Sequence, residues 1–177
     1  MKILEVADRT PDLINQLLEV WEKSVRATHL FLSDREIKNI KEYVPQALNG
    51  IAHLMIAAGE AGRAVAFMGI EDGTLEMLFI SPEERGKGLG KRLIEYGIES
   101  YSVERLAVNE QNPQAKGFYE HMGFHIYKME AVVSLRRFEN MIKRFLKYVD
   151  GKKECYFCIL NLNKLSEPVP AARRDCT

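Results

Sequence analysis

The part of this chain with the clearest chemical signal joins an apolar strand to a basic, glycine-rich turn that begins a helix. It covers residues 79–90, FISPEERGKGLG, in which Gly86, Gly88 and Gly90 stand at alternate positions. Glycine lets main-chain N–H groups approach an anion without a clash from Cβ. The first N–H groups of a helix are unpaired, and the helix dipole favours negative charge beside them. The turn therefore predicts a phosphate-binding site.

Three basic side chains add positive charge at the same place, namely Arg85, Lys87 and Lys91. Two common phosphate-binding patterns nevertheless do not match. A P-loop needs one residue more between its first glycine and its Gly-Lys pair, and Arg92 stands where its Ser or Thr should be. A dinucleotide-binding turn needs Gly-x-Gly-x-x-Gly, whereas this turn is Gly-x-Gly-x-Gly. The spacing argues against both classes of nucleotide site.

Two motifs together resemble the GCN5-related N-acetyltransferases (GNAT). Residues 85–90, RGKGLG, resemble their pyrophosphate loop, Arg/Gln-x-x-Gly-x-Gly/Ala. Residues 112–124, NPQAKGFYEHMGF, resemble their Asn-x-x-Ala-x-x-Phe-Tyr-x-x-x-Gly-Phe segment. The motifs follow one another in the family's order, about twenty residues apart, which is more specific than either motif alone. Residues 21–32 also resemble small bacterial members, so the resemblance covers about residues 1–130.

The resemblance implies that the co-substrate is acetyl-CoA and that its acetyl group passes directly to a primary amine in a ternary complex. It implies that the main chain of the turn holds the pyrophosphate and that the preceding strand pairs with the pantetheine arm. A main-chain N–H of that strand can stabilise the oxyanion. The residues implied to contact the cofactor are Leu78, Phe79, Ile80, Arg85, Gly86, Lys87, Gly88, Leu89, Gly90, Lys91, Asn112 and Tyr119. Two simpler roles coexist with these, since Leu78, Phe79 and Ile80 suit a core strand and Asn112 suits a helix cap before Pro113.

Catalysis by such an enzyme needs an acid and a base. Tyr119 matches the family's tyrosine that protonates the departing thiolate, and a phenol is a suitable acid for a thiol. Its alternative role is that of a core tyrosine with a hydroxyl at the surface. Glu76 and His29 are the two candidates for the base that takes a proton from the amine. Their alternatives are a solvated strand residue and a polar contact at a helix end.

Composition narrows the class of protein. The chain has 177 residues, of which 46% are hydrophobic, and 25 basic residues balance 25 acidic ones. This is typical of one globular domain without the overall charge that nucleic-acid or membrane binding needs. No apolar run has membrane-spanning length, the first residues lack the build of a signal peptide, and the three cysteines form no disulfide framework. We therefore expect a cytoplasmic protein. We expect no metal, because Cys155 and Cys158 would point to opposite faces of a strand.

Periodicity and capping residues predict an α/β fold, a single domain with a mixed central sheet flanked by helices. The predicted order begins with one edge strand, two helices and three antiparallel strands. The helix after the glycine-rich turn follows, and then a strand, a further helix and a final strand. Thr10-Pro11 and a capping box at Ser33 begin the first two helices, and the second helix continues to Asn49-Gly50. Asp72-Gly73 is typical of a hairpin turn. This layout matches the GNAT core at 1–130.

The C-terminal part departs from the family. We expect residues 131–165 to form a helix at 134–148 and then the final strand at 155–162, with 166–177 as a flexible tail. Residues 135–153 carry seven basic and two acidic side chains, a net charge of +5. The interpretations left open are a helix that covers the core with a solvated basic side, a homodimer contact, and a basic patch for RNA or a membrane surface.

The acceptor cannot be identified from the residues. Trp21, Ser24, Thr28 and Phe31 are candidates for the walls of its pocket, and they equally suit a helix packed on the sheet. A small amine, a peptide N-terminus, a lysine, an antibiotic and an aminoacyl-tRNA all remain open. The main alternatives to the acetyltransferase hypothesis are a non-catalytic module that binds or senses acyl-CoA and an enzyme that acts on charged tRNA.

Overall fold

The structure, a computed structural model, describes residues 1–60, 62–133 and 142–150. Its elements in chain order are β1 (Lys2–Glu5), α1 (Pro11–Thr28), α2 (Asp34–Lys41), α3 (Val44–Gly50), β2 (His53–Ala58), β3 (Ala64–Glu71), β4 (Thr74–Ile80), a 3₁₀ turn (Pro82–Glu84), α4 (Leu89–Tyr101), β5 (Arg105–Asn109), α5 (Pro113–His121), β6 (Phe124–Val133) and β7 (Ile142–Asp150). Within the described residues, one sheet has the strand order β1-β2-β3-β4-β5-β7-β6. All neighbouring strands are antiparallel except β4 and β5, which are parallel. The predicted α/β fold with a mixed sheet is confirmed.

Helices α1 and α2 begin where the sequence predicts. The Thr10 hydroxyl accepts a hydrogen bond from the Leu13 N–H at the start of α1. Ser33 and Glu36 form the predicted capping box of α2. The prediction of one continuous second helix is wrong, because α2 ends at Lys41 and α3 begins at Val44. Pro45 explains the break, since proline has no N–H to donate to the Lys41 carbonyl four residues earlier and its ring would clash with that carbonyl.

The sheet is covered on both faces. Helices α1, α2 and α3 pack on one face through a core cluster that includes Trp21, Leu48 and Phe67. Helices α4 and α5 pack on the other face through a second cluster that includes Leu93 and Tyr119. Strand β3 lies between the two layers and is buried along most of its length. The two layers hold β4 and β5 in the centre of the molecule, where the candidate site lies.

The hairpin between β3 and β4 is the predicted one. Asp72 and Gly73 have φ angles of 48° and 69°, the left-handed backbone that a two-residue hairpin turn requires. Glu71 pairs with Thr74 on either side of the turn. The turn thereby sets the start of β4.

The predicted helix at 134–148 is wrong over residues 142–148, which belong to β7. That strand pairs with β5 from Arg105 to Asn109 and with β6 from Phe124 to Val133. Pairing with a strand on each of its two edges outweighs the local helical pattern. Residues 134–141 and the strand predicted at 155–162 lie outside the described residues, as does the predicted tail. The boundaries of the predicted segments 131–165 and 166–177 therefore stay a prediction.

Hydrogen bonds from the partly buried Arg9 tie the start of the chain to the end of α3. The two terminal nitrogens of Arg9 donate hydrogen bonds to the main-chain oxygens of Leu48, Asn49, Ile51 and Ala52, over distances of 2.6–3.3 Å. These oxygens include the last carbonyls of a helix, which favour a nearby cation.

Replacing Arg9 with methionine should therefore destabilise the protein. We expect a loss of about 1–3 kcal/mol in the free energy of unfolding, because methionine fills similar space but leaves these carbonyls without their donor. Thermal denaturation followed by circular dichroism measures the change. The exposed Arg35 of α2 gives a matched control, and Arg35→Met should melt like the wild type. Equal melting of both variants would contradict the proposed contribution of Arg9.

Candidate active site

Strands β4 and β5 separate soon after they begin, and this opens the middle of the sheet. They pair at two positions, Thr74 with Arg105 and Leu75 with Leu106. Beyond Leu75, β4 remains paired with β3 on its other edge as far as Ile80. No described strand pairs with the second edge of β4 over residues 76–80. The stretch predicted to pair with the pantetheine arm, Leu78 to Ile80, lies on this open edge.

A β-bulge in β4 places Glu76 beside the opening. Gly69 pairs with Met77 and Ile70 pairs with Leu75, so Glu76 has no residue opposite it on β3. The bulge changes the alternation of side chains along the strand. Leu75 belongs to the core cluster under α4 and α5, whereas Met77, two residues later, belongs to the cluster under α1. The sequence gives no sign of this bulge, because it depends on the pairing of two strands.

A narrow cleft of about 100 Å³ lies between the separated strands, α1 and the start of α5. Six of the predicted site residues line it, namely His29, Glu76, Leu78, Phe79, Asn112 and Tyr119. Trp21 and Phe31, predicted as walls of an acceptor pocket, also line it. Ser24 and Thr28 are buried in α1 and are not among the lining residues. The structure therefore brings the proposed acid and both proposed bases to one place, and their chemical roles stay predictions.

Tyr119 reaches the cleft from α5. The Asn112 side chain caps this helix by accepting a hydrogen bond from the Ala115 N–H at 3.1 Å, which is the predicted capping role. Tyr119 lies two turns later on the same side of the helix as Asn112. Its side chain is 7% exposed, and its ring contacts Phe118 and Phe124 with centroids 5.1 Å and 6.2 Å apart. The tyrosine is thus a core residue that also borders the cleft.

His29 borders the cleft from the end of α1. Its Nδ1 lies 2.8 Å from the Thr28 hydroxyl, which donates its proton to the Ser24 carbonyl at 2.7 Å. A hydroxyl has one proton, so the contact with His29 requires a proton on Nδ1. The lone pair of the neutral ring is then on Nε2, the nitrogen that can act as a base.

The predicted phosphate-binding turn follows β4 and leads into α4. Gly86 and Gly88 have φ angles of 71° and 78°, and Gly88 is the N-cap of the 13-residue helix. Among the described residues, no side chain caps this helix end. The unpaired N–H groups of the first turn can therefore receive an anion.

Gly90 has a different role from the other two glycines. A Cβ on Gly90 would lie 3.2 Å from atoms of both Ile80 and Phe118, so its small size lets α4 pack against β4 and α5. Leu89 also turns its side chain into the core. Two of the bases near the turn have acidic neighbours, since Lys87 lies 3.2 Å from Glu84 and Lys91 lies 3.7 Å from Glu95. Such exposed pairs are weak and leave both lysines available to a phosphate.

One buried polar residue of the cleft, Asn109, is not singled out by the sequence. It ends β5, is 1% exposed and lines the cleft. The only available signal is a polar amide directly after the apolar residues 106–108. Such an amide is also typical of a turn, so its burial could not be foreseen.

Two kinds of feature are absent from the described residues. Within residues 1–60, 62–133 and 142–150, no helix has the length and apolarity that crossing a membrane requires. In the same ranges, no group of three or more His, Cys, Asp or Glu side chains is placed to hold a metal ion. All three cysteines lie outside these ranges.

Comparisons with known proteins bear on this arrangement. Residues 24–145 match the family described as "Acetyltransferase (GNAT) domain". The chain is 39% identical over 111 residues to the peptidyl-lysine N-acetyltransferase YjaB of Salmonella typhimurium, a match that covers 63% of this chain and 76% of that protein. The solution structure of apo-form YjaB from Escherichia coli has a TM-score of 0.72 and 32% identity, and covers 84% of this chain and 97% of that one.

A more distant structure shares the fold. The PaiA N-acetyltransferase from Thermoplasma acidophilum, solved in complex with coenzyme A, has a TM-score of 0.59 and 20% identity. This match covers 83% of the present chain and 98% of PaiA. At this level of identity the likeness concerns the fold alone.

Proposed function

Because this chain belongs to the GNAT acetyltransferase family, it transfers an acetyl group from acetyl-CoA to an amine, and we propose that this amine is a lysine side chain of another protein. Membership of the family also removes the non-catalytic binding module from the alternatives. Support for a lysine acceptor comes from YjaB, which is a peptidyl-lysine N-acetyltransferase. The cleft adds physical support, since Trp21, Val25 and Phe31 offer apolar walls to the four-carbon stem of a lysine.

One observation carries the mechanism, namely that the open edge of β4, a buried tyrosine and two proton acceptors border the same cleft. Acetyl-CoA supplies the acetyl group as a thioester. In our proposal the N–H groups at the start of α4 bind its pyrophosphate, and the main chain of Leu78 to Ile80 pairs with its pantetheine arm. A main-chain N–H on the same edge stabilises the oxyanion that forms when the amine attacks. The Tyr119 hydroxyl then donates its proton to the departing thiolate.

The attacking amine must first lose a proton, and we propose that Glu76 accepts it. Glu76 lies at the bulge of the strand that we propose pairs with the pantetheine arm, and it lines the cleft. A lysine ammonium group that enters the cleft would therefore meet its carboxylate. A carboxylate also attracts the protonated form of the substrate. His29, with its lone pair on Nε2, is the second candidate.

The pH dependence of the rate tests the assignment of the base. We expect Glu76→Gln to lower kcat/KM by about a hundredfold and to remove the acidic limb of its pH profile, since an amide cannot accept the proton. His29→Ala should keep that limb. The reverse pattern would assign the base to His29, and an unchanged acidic limb in both variants would exclude both residues.

The lysine acceptor is tested by mass spectrometry of a bacterial lysate incubated with the purified protein and ¹³C-labelled acetyl-CoA. The labelled group should appear on lysine side chains within proteins, and the Tyr119→Phe variant serves as the matched control for non-enzymatic acetylation. Label confined to protein N-termini, small amines or nuclease-sensitive material would overturn the lysine proposal. The last of these results would favour the alternative of an aminoacyl-tRNA acceptor.

The location and the oligomeric state of the protein are two further expectations. A cytoplasmic location is consistent with three cysteines that form no disulfide framework. A homodimer contact remains one interpretation of the basic segment 135–153, of which residues 135–141 and 151–153 lie outside the described ranges.

A further inference from the structure

The side-chain amide of Asn109 holds an unused hydrogen-bond donor at the wall of the cleft. Its Oδ1 accepts a hydrogen bond from the Gln111 N–H at 2.9 Å. Its Nδ2 is buried and has no hydrogen-bond partner among the residues that the structure describes. Folded proteins pair nearly all their buried polar atoms, so a donor left without a partner calls for an explanation.

The orientation of this amide is fixed by chemistry. Exchanging its oxygen and nitrogen would place an NH₂ group against the Gln111 N–H, and two donors would then face each other. The oxygen therefore stays on Gln111, and the group directed elsewhere is the donor. Only an acceptor atom can satisfy it.

The position of Asn109 in β5 indicates what that acceptor atom belongs to. Leu106 and Val108 point to the core cluster under α4 and α5. Side chains alternate along a strand, so Asn109 lies on the opposite face, the face that carries Trp21 and Phe31 of the cleft. The residue is beyond the last pairing of β5 with β4, where the sheet is open.

We infer that Asn109 is a ligand-binding residue whose Nδ2 donates a hydrogen bond to a carbonyl oxygen of a molecule bound in the cleft. This inference rests on the proposed function, which supplies two sources of that oxygen. One is the acyl-pantetheine arm of acetyl-CoA, with its thioester and amide carbonyls. The other is the main chain of the acceptor, next to its lysine.

A buried donor without an acceptor costs free energy, and a hydrogen bond to a ligand removes that cost. Asn109 therefore favours ligands that place a hydrogen-bond acceptor next to its Nδ2, because an apolar group at that position would leave the donor unpaired. The Oδ1 of the same side chain accepts the hydrogen bond from the Gln111 N–H in the turn between β5 and α5. This bond fixes the position of the Nδ2 donor.

Two substitutions separate binding from structure. Asn109→Asp keeps an oxygen for the Gln111 N–H and removes the donor, whereas Asn109→Ala removes both. The matched control is Gln111→Glu, which makes the same amide-to-carboxylate change at an exposed position in the same turn. Melting curves of each variant show whether it is folded.

Calorimetry with CoA and acetyl-CoA, followed by steady-state kinetics with a lysine peptide, completes the test. We expect Asn109→Asp and Asn109→Ala to weaken ligand binding by about tenfold, while Gln111→Glu binds like the wild type. A higher Kd for acetyl-CoA assigns the oxygen to the acyl arm. An unchanged Kd with a higher KM for the peptide assigns it to the acceptor.

The inference is overturned if folded Asn109 variants keep the wild-type Kd and the wild-type peptide KM. An ordered water or a purely structural role would give that result. This failure is distinct from failure of the proposed function, because the calorimetric arm does not depend on the acceptor. A wild-type protein that binds acetyl-CoA but acetylates no lysine would reject the lysine acceptor and leave the cofactor arm intact.

Discussion

Replacing Tyr119 with phenylalanine should lower kcat at least tenfold while the Kd for CoA stays within about twofold of the wild-type value. The phenol is proposed to protonate the departing thiolate, so its loss acts on the chemical step. Phenylalanine keeps the ring that contacts Phe118 and Phe124, and the fold should therefore be retained. Release of free CoA thiol from acetyl-CoA measures kcat, and calorimetry measures the Kd.

A matched control is available in α4. Tyr96 is a partly buried tyrosine whose ring contacts Tyr101 and which does not line the cleft. Tyr96→Phe makes the same chemical change and should leave kcat unchanged. In the wild type, deprotonation of the acid should reduce the rate at high pH, and Tyr119→Phe should lose that basic limb. Wild-type turnover in Tyr119→Phe would remove the tyrosine from the mechanism.

Replacing Gly88 with valine should weaken CoA binding at least tenfold. Gly88 has a φ of 78°, and a β-branched residue rarely adopts such left-handed backbone. The turn must then change its path, and the N–H groups at the start of α4 lose their common direction. Calorimetric titration with CoA measures the effect directly, without any assumption about the acceptor.

Gly117 provides the control for this substitution. It lies within α5, and a Cβ added to it would meet no atom within 4 Å. Gly117→Ala should preserve the affinity for CoA and stabilise the protein by about 0.5–1 kcal/mol, since alanine is the better helix former. If Gly88→Val bound CoA as well as Gly117→Ala does, the turn would not be the pyrophosphate site.

Local rules predicted most of the core at 1–130. Thr10, Ser33 and Asn112 each cap a helix with their own side chain, and Asp72-Gly73 turns the β3–β4 hairpin. These features depend on residues a few positions apart, which is why the sequence reveals them. Pro45 also indicates the division between α2 and α3, because a proline interrupts the hydrogen bonds of a continuous helix.

The features of the fold that the sequence did not predict depend on contacts between separate strands. Residues 142–148, IKRFLKY, space their apolar side chains as a helix does, and yet they pair as a strand with β5 and β6. Short apolar patterns do not by themselves separate helix from strand, and here the pairing on both edges of the segment decides. The bulge at Glu76 depends likewise on the register between β3 and β4.

The candidate site was predictable in part for the same reason. The turn at 85–90 and the segment at 112–124 carry their signals in consecutive residues. The segment contributes Asn112, Ala115 and Tyr119 to the cleft, whereas no residue of the turn lines it. The relation between His29, Glu76 and Tyr119 needs the three-dimensional arrangement of α1, β4 and α5. The burial of Asn109 needs it too.

The separation of β4 from β5 should make the stability of this protein depend on the supply of acetyl-CoA. In the described residues, two pairs join these central strands, so a bound coenzyme would complete the sheet by supplying the missing hydrogen-bonding neighbour. Any molecule that binds the native fold in preference to the unfolded chain shifts the folding equilibrium towards the native state. We therefore expect the enzyme to resist proteolysis better in cells rich in acetyl-CoA and to be degraded sooner in starved cells.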